Sequence, residues 1–71
     1  MRDVQITKDF VELFKVLKFE GLVSSGGEAK AAIENGEVLV NGKSELRKRK
    51  KIVPGDSIEF KGEGLKIVAS A

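Results

Sequence analysis

The residues of this sequence best suited to bind a ligand are five consecutive cations, at residues 47–51. This basic segment consists of Arg47, Lys48, Arg49, Lys50 and Lys51. Adjacent like charges repel one another, so a fold that keeps them is expected to have an anionic partner. The alternative is a solvated strand edge, because lysine on an edge strand blocks unwanted sheet pairing. The basic segment alone does not decide between the two interpretations.

Positive charge is concentrated in the middle of the chain. Residues 30–51 hold seven cations against three acids, whereas residues 1–29 and 52–71 each have a net charge of −1, for a total of +2. Such a patch favours nucleic acid as a partner, although an acidic protein or a membrane surface could also match it.

The composition excludes several classes of function. The 71 residues contain no cysteine and no histidine, which removes disulfides, thiolate metal sites and the commonest general base. No acid pair or Ser–base arrangement suggests catalysis, so we expect neither an enzyme nor a cofactor. The chain has no signal-peptide or membrane-length apolar stretch, so we expect a cytoplasmic protein. Its length predicts one domain, residues 1–71.

The first half of the chain predicts a strand and two helices. Val4 and Ile6 alternate with polar residues, as in a short strand. Apolar residues then recur at helical spacing over about ten residues, after two candidate N-caps, Thr7 and Asp9. Asp9 and Glu12 have the spacing of a capping box. A second helix is expected from Ser25, with Glu28 completing a capping box, to the Asn35-Gly36 stop. The buried stripes are predicted to be Phe10, Leu13, Phe14 and Leu17 in the first helix, and Ala29, Ala32 and Ile33 in the second.

The second half predicts an antiparallel meander. Strand 38–40 precedes Asn41-Gly42, a strong hairpin signal, and residues 43–48 are expected to return beside it. Pro54-Gly55 suits a type II turn, and further strands are expected at residues 57–60 and 65–68. The fold is therefore predicted as α+β, with two helices on one face of a four- or five-stranded, mostly antiparallel sheet. The first strand is expected to pair with the last.

As a strand, the basic segment would place Arg47, Arg49 and Lys51 on one side and Lys48 and Lys50 on the other. Both sides cannot be buried, so the segment must be an exposed edge or a projecting loop. Arginine suits bidentate phosphate contacts and lysine acts as a point charge.

The four phenylalanines are all expected to lie in the core. Phe10, Phe14 and Phe60 fit apolar stripes, and for Phe19 a core position is favoured over an exposed one that could stack on a base. The sequence therefore predicts no aromatic platform for single-stranded bases. Backbone and shape recognition of folded or double-stranded RNA fits better.

The order of these motifs resembles the RNA-binding domain named after small-subunit ribosomal protein S-four, with a family core at about residues 13–60. The matching residues are Leu13, Leu17, Ser25, Ala29, Lys30, Ile33, Gly36, Val38-Leu39-Val40-Asn41-Gly42 and Val53-Pro54-Gly55-Asp56. The sequences at 17–21, 25–30 and 47–49 look like small stand-alone members of the YbcJ/YaaA type. The chain departs from the family pattern in two places. Gly26 stands where an arginine is frequent, and Glu12-Leu13-Phe14 stands where Arg-Leu-Asp is frequent. These changes weaken the usual contacts of the helix face with RNA, so we expect the basic segment to contribute more of the affinity.

The resemblance implies binding to structured RNA, such as ribosomal or transfer RNA. We expect a monomer, with the ribosome as a candidate partner. The candidate RNA-binding residues are Lys30, Lys43, Arg47, Lys48, Arg49, Lys50 and Lys51, with Lys15, Lys18 and Asn41 as weaker candidates. One alternative is a protein-interaction adaptor that docks the same basic edge on an acidic or ribosomal partner. Another is a stand-alone appendage that supplies RNA affinity to a separate modifying enzyme.

Overall fold

The computed structural model describes residues 1–70 as seven strands and two helices. In chain order these are β1 (Arg2–Ile6), β2 (Val11–Glu12), α1 (Leu13–Phe19), α2 (Gly26–Glu34), β3 (Val38–Val40), β4 (Lys43–Ser44), β5 (Lys51–Ile52), β6 (Ser57–Phe60) and β7 (Glu63–Ala69). The main sheet has the strand order β1-β7-β6-β3-β4, and β2 pairs with β5 in a second, two-stranded sheet.

The main sheet confirms the predicted architecture. The pairs β3–β4, β3–β6 and β6–β7 are antiparallel. The first strand does pair with the last, in parallel, with Val4 opposite Ile67. Period-two alternation places Val4, Val38, Ile58 and Ile67 in one core with residues of the two helices. This makes a two-layer α+β domain with a single hydrophobic core.

The second helix forms as its sequence predicts. The Ser25 hydroxyl oxygen accepts a hydrogen bond of 3.1 Å from the Glu28 amide, and the Glu28 carboxylate accepts one of 3.0 Å from the Ser24 amide. Ala29, Ala32 and Ile33 are buried. The chain leaves the helix through Gly36, whose φ of 77° lies in the left-handed region that favours glycine.

The predicted turns are also present. Asn41 and Gly42 have φ values of 52° and 86°, as a two-residue hairpin turn requires. At the second turn, Gly55 has a φ of 102° and the Asp56 amide donates to the Val53 carbonyl at 3.1 Å. These are the features expected of a type II turn with proline at its second position.

The prediction for the first helix was wrong at its start. Helix α1 has seven residues and begins at Leu13, while Val11 and Glu12 are extended and pair with β5. Neither Thr7 nor Asp9 is the cap. Phe10 is therefore outside the helix and 40% exposed, and Phe19, at the end of α1, is 70% exposed. Both were expected in the core, whereas Phe60 is buried and Phe14 packs partly buried against the core.

The return strand expected at residues 43–48 is shorter than predicted. Strand β4 stops at Ser44, and Lys48 and Arg49 form a turn in which the Lys50 amide donates to the Arg47 carbonyl at 3.1 Å. Only Lys51 belongs to a strand. Arg47, Arg49 and Lys51 therefore do not form an alternating row on one strand face. The segment follows the other alternative considered, a projecting loop.

Candidate nucleic-acid interface

The basic segment is fixed to the start of helix α1 by its backbone. The first amides of a helix have no partner within the helix, and the N-cap residue Glu12 makes no side-chain capping bond. Instead, the Leu13 amide donates to the Lys50 carbonyl at 2.9 Å and the Phe14 amide donates to the Lys48 carbonyl at 3.1 Å. The loop thus supplies the helix cap, and the β2–β5 pair closes the same junction.

Three cations from three different elements surround the ring of Phe14. The Lys30 Nζ lies 4.7 Å from the ring centroid, the Arg49 Cζ 5.6 Å and the Lys15 Nζ 5.9 Å. A cation at such a distance over an aromatic face is attracted by the ring quadrupole. Phe14 therefore joins α1, α2 and the basic segment into one surface, which we call the Phe14 cluster (Phe14, Lys15, Lys30 and Arg49).

Gly26 lies beside this ring. A Cβ atom at Gly26 would lie 3.9 Å from the Cδ2 and Cε2 atoms of Phe14. The two departures from the family pattern are therefore neighbours in space. The sequence pattern predicted Phe14 in the core and showed Gly26 only as the place of a missing arginine. No local feature of the sequence indicates that the two residues are in contact.

Glu12 is the carboxylate closest to the Phe14 cluster. Its Oε1 lies 3.2 Å from the Lys15 Nζ, and its Oε2 accepts a hydrogen bond of 3.4 Å from the Arg49 Nη1. The hydrogen bond with Lys15, with the added attraction of Arg49, lowers the pKa of Glu12. Glu12 is consequently ionised at neutral pH and offsets one of the positive charges around it. Its place in the sequence, three residues after Asp9, indicated only a helix-capping role.

Two more carboxylates pair with the basic segment. The Lys48 Nζ donates to Glu34 Oε2 at 3.2 Å, which joins the loop to the end of α2. Arg47 donates from Nε and Nη2 to the two carboxylate oxygens of Glu45, at 3.0 and 3.2 Å. These hydrogen bonds lower the pKa of Glu45 and raise the pKa of Arg47.

Three of the five cations in the basic segment therefore contact the protein's own carboxylates. Their side chains nevertheless remain between 43% and 71% exposed. Ion pairs this exposed are weak and exchange readily with other anions. Around the loop, Lys15, Lys30 and residues 47–51 provide seven cations against Glu12, Glu34 and Glu45. The surface keeps a clear positive excess.

The remaining candidates are distributed around this centre. Lys51 lies with its Nζ 4.9 Å from the centroid of the Phe10 ring, and Lys50 is partly buried. Residues 46–51 curve around an open cavity of about 590 Å³. Lys18 is exposed in the last turn of α1. Within residues 1–70 it makes no ion pair.

The hairpin residues are not part of the Phe14 cluster. Lys43 is exposed on β4, opposite Val40. The side chain of Asn41 is occupied by the protein itself. Its Nδ2 donates to Asp56 Oδ1 at 3.0 Å, and its Oδ1 accepts from the Ser57 amide at 2.9 Å. The amide of Asn41 thus joins two turns.

This arrangement is suited to holding a polyanion. The part of the chain that the structure describes contains no group of three or more acidic side chains placed to hold a metal ion. Neither helix among residues 1–70 is long and apolar enough to cross a membrane.

Comparisons with known proteins agree on one family. The S-four (S4) domain family matches residues 4–68 of the chain. YbcJ of Escherichia coli (strain K12) is 49% identical over 59 residues, which cover 83% of this chain and 84% of YbcJ. RlbA of Bacillus subtilis (strain 168), named as a probable ribosome maturation protein, is 34% identical over 61 residues, 86% of each chain.

A solved structure shows the same fold. The solution structure of Escherichia coli YbcJ superposes with a TM-score of 0.73 at 44% identity, covering 94% of this chain and 86% of that one. It is described as revealing an αL motif involved in RNA binding. Neither the family nor these relatives are named for an enzymatic activity, in agreement with the expectation from the sequence. The match along residues 4–68, the two relatives and the shared fold place this chain in the S4 domain family.

Proposed function

We propose that this protein binds structured RNA, ribosomal or transfer RNA, through its phosphate backbone and without catalysis. The Phe14 cluster is the observation that carries the proposal, because it brings cations from both helices and the basic segment onto one surface. The αL motif of YbcJ is described as involved in RNA binding, and RlbA is named for ribosome maturation. We expect the protein to act as a monomer in the cytoplasm, with the ribosome as a candidate partner.

The ring of Phe14 matters because it gathers cations without neutralising them. A carboxylate in its place would subtract one charge from the surface, whereas an aromatic ring attracts cations through its quadrupole and carries no net charge. Lys15, Lys30 and Arg49 are thereby held close together against their mutual repulsion. A phosphate group that approaches them gains charge-assisted hydrogen bonds, which are stronger than neutral ones.

The ion pairs with Glu12, Glu34 and Glu45 are compatible with this function. In the absence of RNA, the pairs with Glu34 and Glu45 hold the long side chains of Lys48 and Arg47 near their binding positions. The Lys48–Glu34 pair is exposed on both sides, so a phosphate oxygen can replace the carboxylate there at little cost. The Arg47 guanidinium is 71% exposed, so a phosphate can contact its free side while Glu45 keeps its hydrogen bonds. Lys18 and Lys43 would extend the footprint along α1 and the edge of the main sheet. Phosphate contacts of this kind fix the position of the RNA without reading its sequence.

The number of phosphates engaged can be tested by a salt titration. With about four to six contacts, a plot of log affinity against log salt concentration should have a slope of roughly −3 to −5 on duplex RNA. The test variant combines Lys30→Gln with Arg49→Gln, which removes two cations of the Phe14 cluster. Its slope should be less steep by about 1.8.

The matched control combines Lys61→Gln with Lys66→Gln on the β6–β7 hairpin, and loses the same charge outside the cluster. The control should keep a slope close to that of the unaltered protein. Equal slopes for the two double variants would show that only net charge matters and would refute the proposed surface. If the partners captured from cells remain bound after ribonuclease treatment, the protein-adaptor alternative is favoured instead.

A further inference from the structure

Two exposed phenylalanines line a groove on the side of helix α1 that borders β1. Phe19 is 70% exposed and Phe10 is 40% exposed. The groove has a volume of about 780 Å³ and lies between β1, the connection at residues 7–10 and α1. Large aromatic side chains are usually buried, and clustered apolar exposure at the rim of a groove marks an interaction site.

The groove adjoins the proposed RNA surface. Glu12 and Lys15 line it, and both contact the residues of the Phe14 cluster or belong to it. At Phe10, the basic segment itself reaches the groove: the Lys51 Nζ lies 4.9 Å from the centroid of the Phe10 ring. An RNA strand held by the basic segment would therefore reach the groove without leaving the protein surface.

The lining of the groove carries charges of both signs, and most of its acids are paired with cations. Lys8 and Lys15 lie in the lining, and Lys18 follows on the same helix. Of the three acids in the lining, Glu12 is bonded to Lys15 and Arg49, and Glu20 lies 3.5 Å from the Arg2 guanidinium. Only Asp9 has no cation within ion-pair distance among residues 1–70. Apolar rings flanked by lysines suit a base together with its phosphates.

We propose that this groove holds an unpaired base of the RNA whose backbone is bound by the Phe14 cluster and the basic segment. The inference rests on the proposed function and adds to it a preference for a single-stranded nucleotide next to the folded part of the RNA. The base stacks on Phe19, the more exposed ring, because Lys51 already lies over the ring of Phe10. Lys15 and Lys51 hold the phosphates on either side. Every base has a π face, so this stacking tolerates any sequence. The sequence predicted no aromatic platform because Phe10 and Phe19 were both expected in the core. Since both rings are exposed, this proposal replaces that expectation.

Two RNAs that differ only at one end provide the test. One is a blunt RNA hairpin, and the other is the same hairpin with three unpaired adenosines at its 3′ end. The unaltered protein should bind the second RNA roughly tenfold more tightly, the gain expected from stacking about one base. Phe19→Ala should remove most of this preference and leave the affinity for the blunt hairpin unchanged. Because Phe19 is largely exposed, this variant is expected to fold.

Two further variants separate stacking from apolar contact. Phe19→Trp should keep or increase the preference, and Phe19→Leu should lose most of it, because leucine offers no ring on which a base can stack. Val53→Ala is the matched control: it shortens another apolar side chain, 42% exposed, outside the groove, and should keep the full preference. In NMR spectra, the ring protons of Phe19 should move upfield when the RNA with the unpaired end is added.

Each contrary result has a defined meaning. Tight but equal binding of both RNAs by the unaltered protein overturns the groove inference and leaves the proposed function standing. Failure to bind either RNA in dilute buffer overturns both. A full preference in Phe19→Leu refutes base stacking. If the unaltered protein sediments as a dimer that Phe19→Ala dissociates, with no change in RNA preference, the groove is occupied by a second copy of the chain and the inference is wrong.

Discussion

Replacing Glu12 by glutamine should make the protein bind RNA more tightly. Glu12 contacts both Lys15 and Arg49, and its lowered pKa keeps it ionised under the conditions of any ordinary binding assay. Glutamine has the same shape and keeps an oxygen that can accept the hydrogen bond from Lys15. The amide nitrogen cannot accept the hydrogen bond that Arg49 now donates to Glu12 Oε2. The substitution therefore removes a negative charge from the interface and releases the Arg49 guanidinium for a phosphate.

The size of the effect follows from the distances at this site. The carboxylate lies 3.2 Å from the Lys15 Nζ and 3.4 Å from the Arg49 Nη1. A phosphate oxygen hydrogen-bonded to the far side of these nitrogens would place its charge about 6 Å from Glu12. Coulomb repulsion at that separation in water corresponds to about a threefold gain in affinity in dilute buffer when the carboxylate is removed. Screening reduces the gain to about twofold at roughly 0.15 M salt.

Fluorescence anisotropy with a labelled hairpin RNA, at several salt concentrations, measures this change. Circular dichroism confirms that the variant is folded. The matched control is Glu59→Gln, an equal change of charge at an exposed position of β6, where the gain should be smaller. An affinity for Glu12→Gln that is equal to or below that of the unaltered protein would refute the reasoning. It would show that Glu12 contributes to binding by orienting Lys15 and Arg49, and that its charge does not oppose the RNA.

Three further predictions concern the scaffold. Ser25→Ala removes the N-cap of α2 and should lower the free energy of unfolding by about 1 kcal/mol in urea titrations, whereas Ser25→Asp should retain it. Asn41→Ala removes two hydrogen bonds between turns and should lower the free energy of unfolding by about 1–2 kcal/mol. The RNA affinity should be unchanged. A selective loss of affinity would show that Asn41 contacts RNA. The pKa values of Glu12 and Glu45 are lowered in the folded protein. Their ion pairs therefore stabilise the fold fully above about pH 4.3, the unperturbed pKa of glutamate. This stabilisation is lost as the pH falls through the lowered pKa values. The urea midpoint should therefore be level from about pH 5 to 8 and fall in acid, and a step near about pH 6.5 would contradict this, since the chain has no histidine.

Much of the fold could be predicted from local sequence because its signals act over a few residues. The Ser25–Glu28 capping box, the Asn41-Gly42 hairpin and the Pro54-Gly55 turn each depend on neighbours in the chain. Alternation in β1, β6 and β7 depends only on which face of a strand is buried. The concentration of charge at residues 47–51 is likewise a property of the sequence, and it indicates the candidate interface without reference to any tertiary contact.

The errors at the start of α1, at Phe10 and in the basic segment share one long-range cause. Helical spacing extends back from Leu17 to Phe10, and nothing local indicates that the helix begins at Leu13. The start is set by carbonyl groups of Lys48 and Lys50, more than thirty residues away, which accept the first two amides of α1. The same bonds pull the basic segment out of the hairpin and into a loop. Phe10 then lies outside the helix, so it is not covered by the core.

The sequence by itself determined the layers, the turns and the position of the positive charge, since these follow from local backbone preferences and from hydrophobic periodicity. Only the tertiary structure decided that Phe14 lies between Lys15, Lys30 and Arg49, that Glu12 offsets part of their charge, and that Phe10 and Phe19 face solvent. Those contacts join residues distant in the chain, and an aromatic residue has the same sequence signature whether its ring is buried in the core or surrounded by cations.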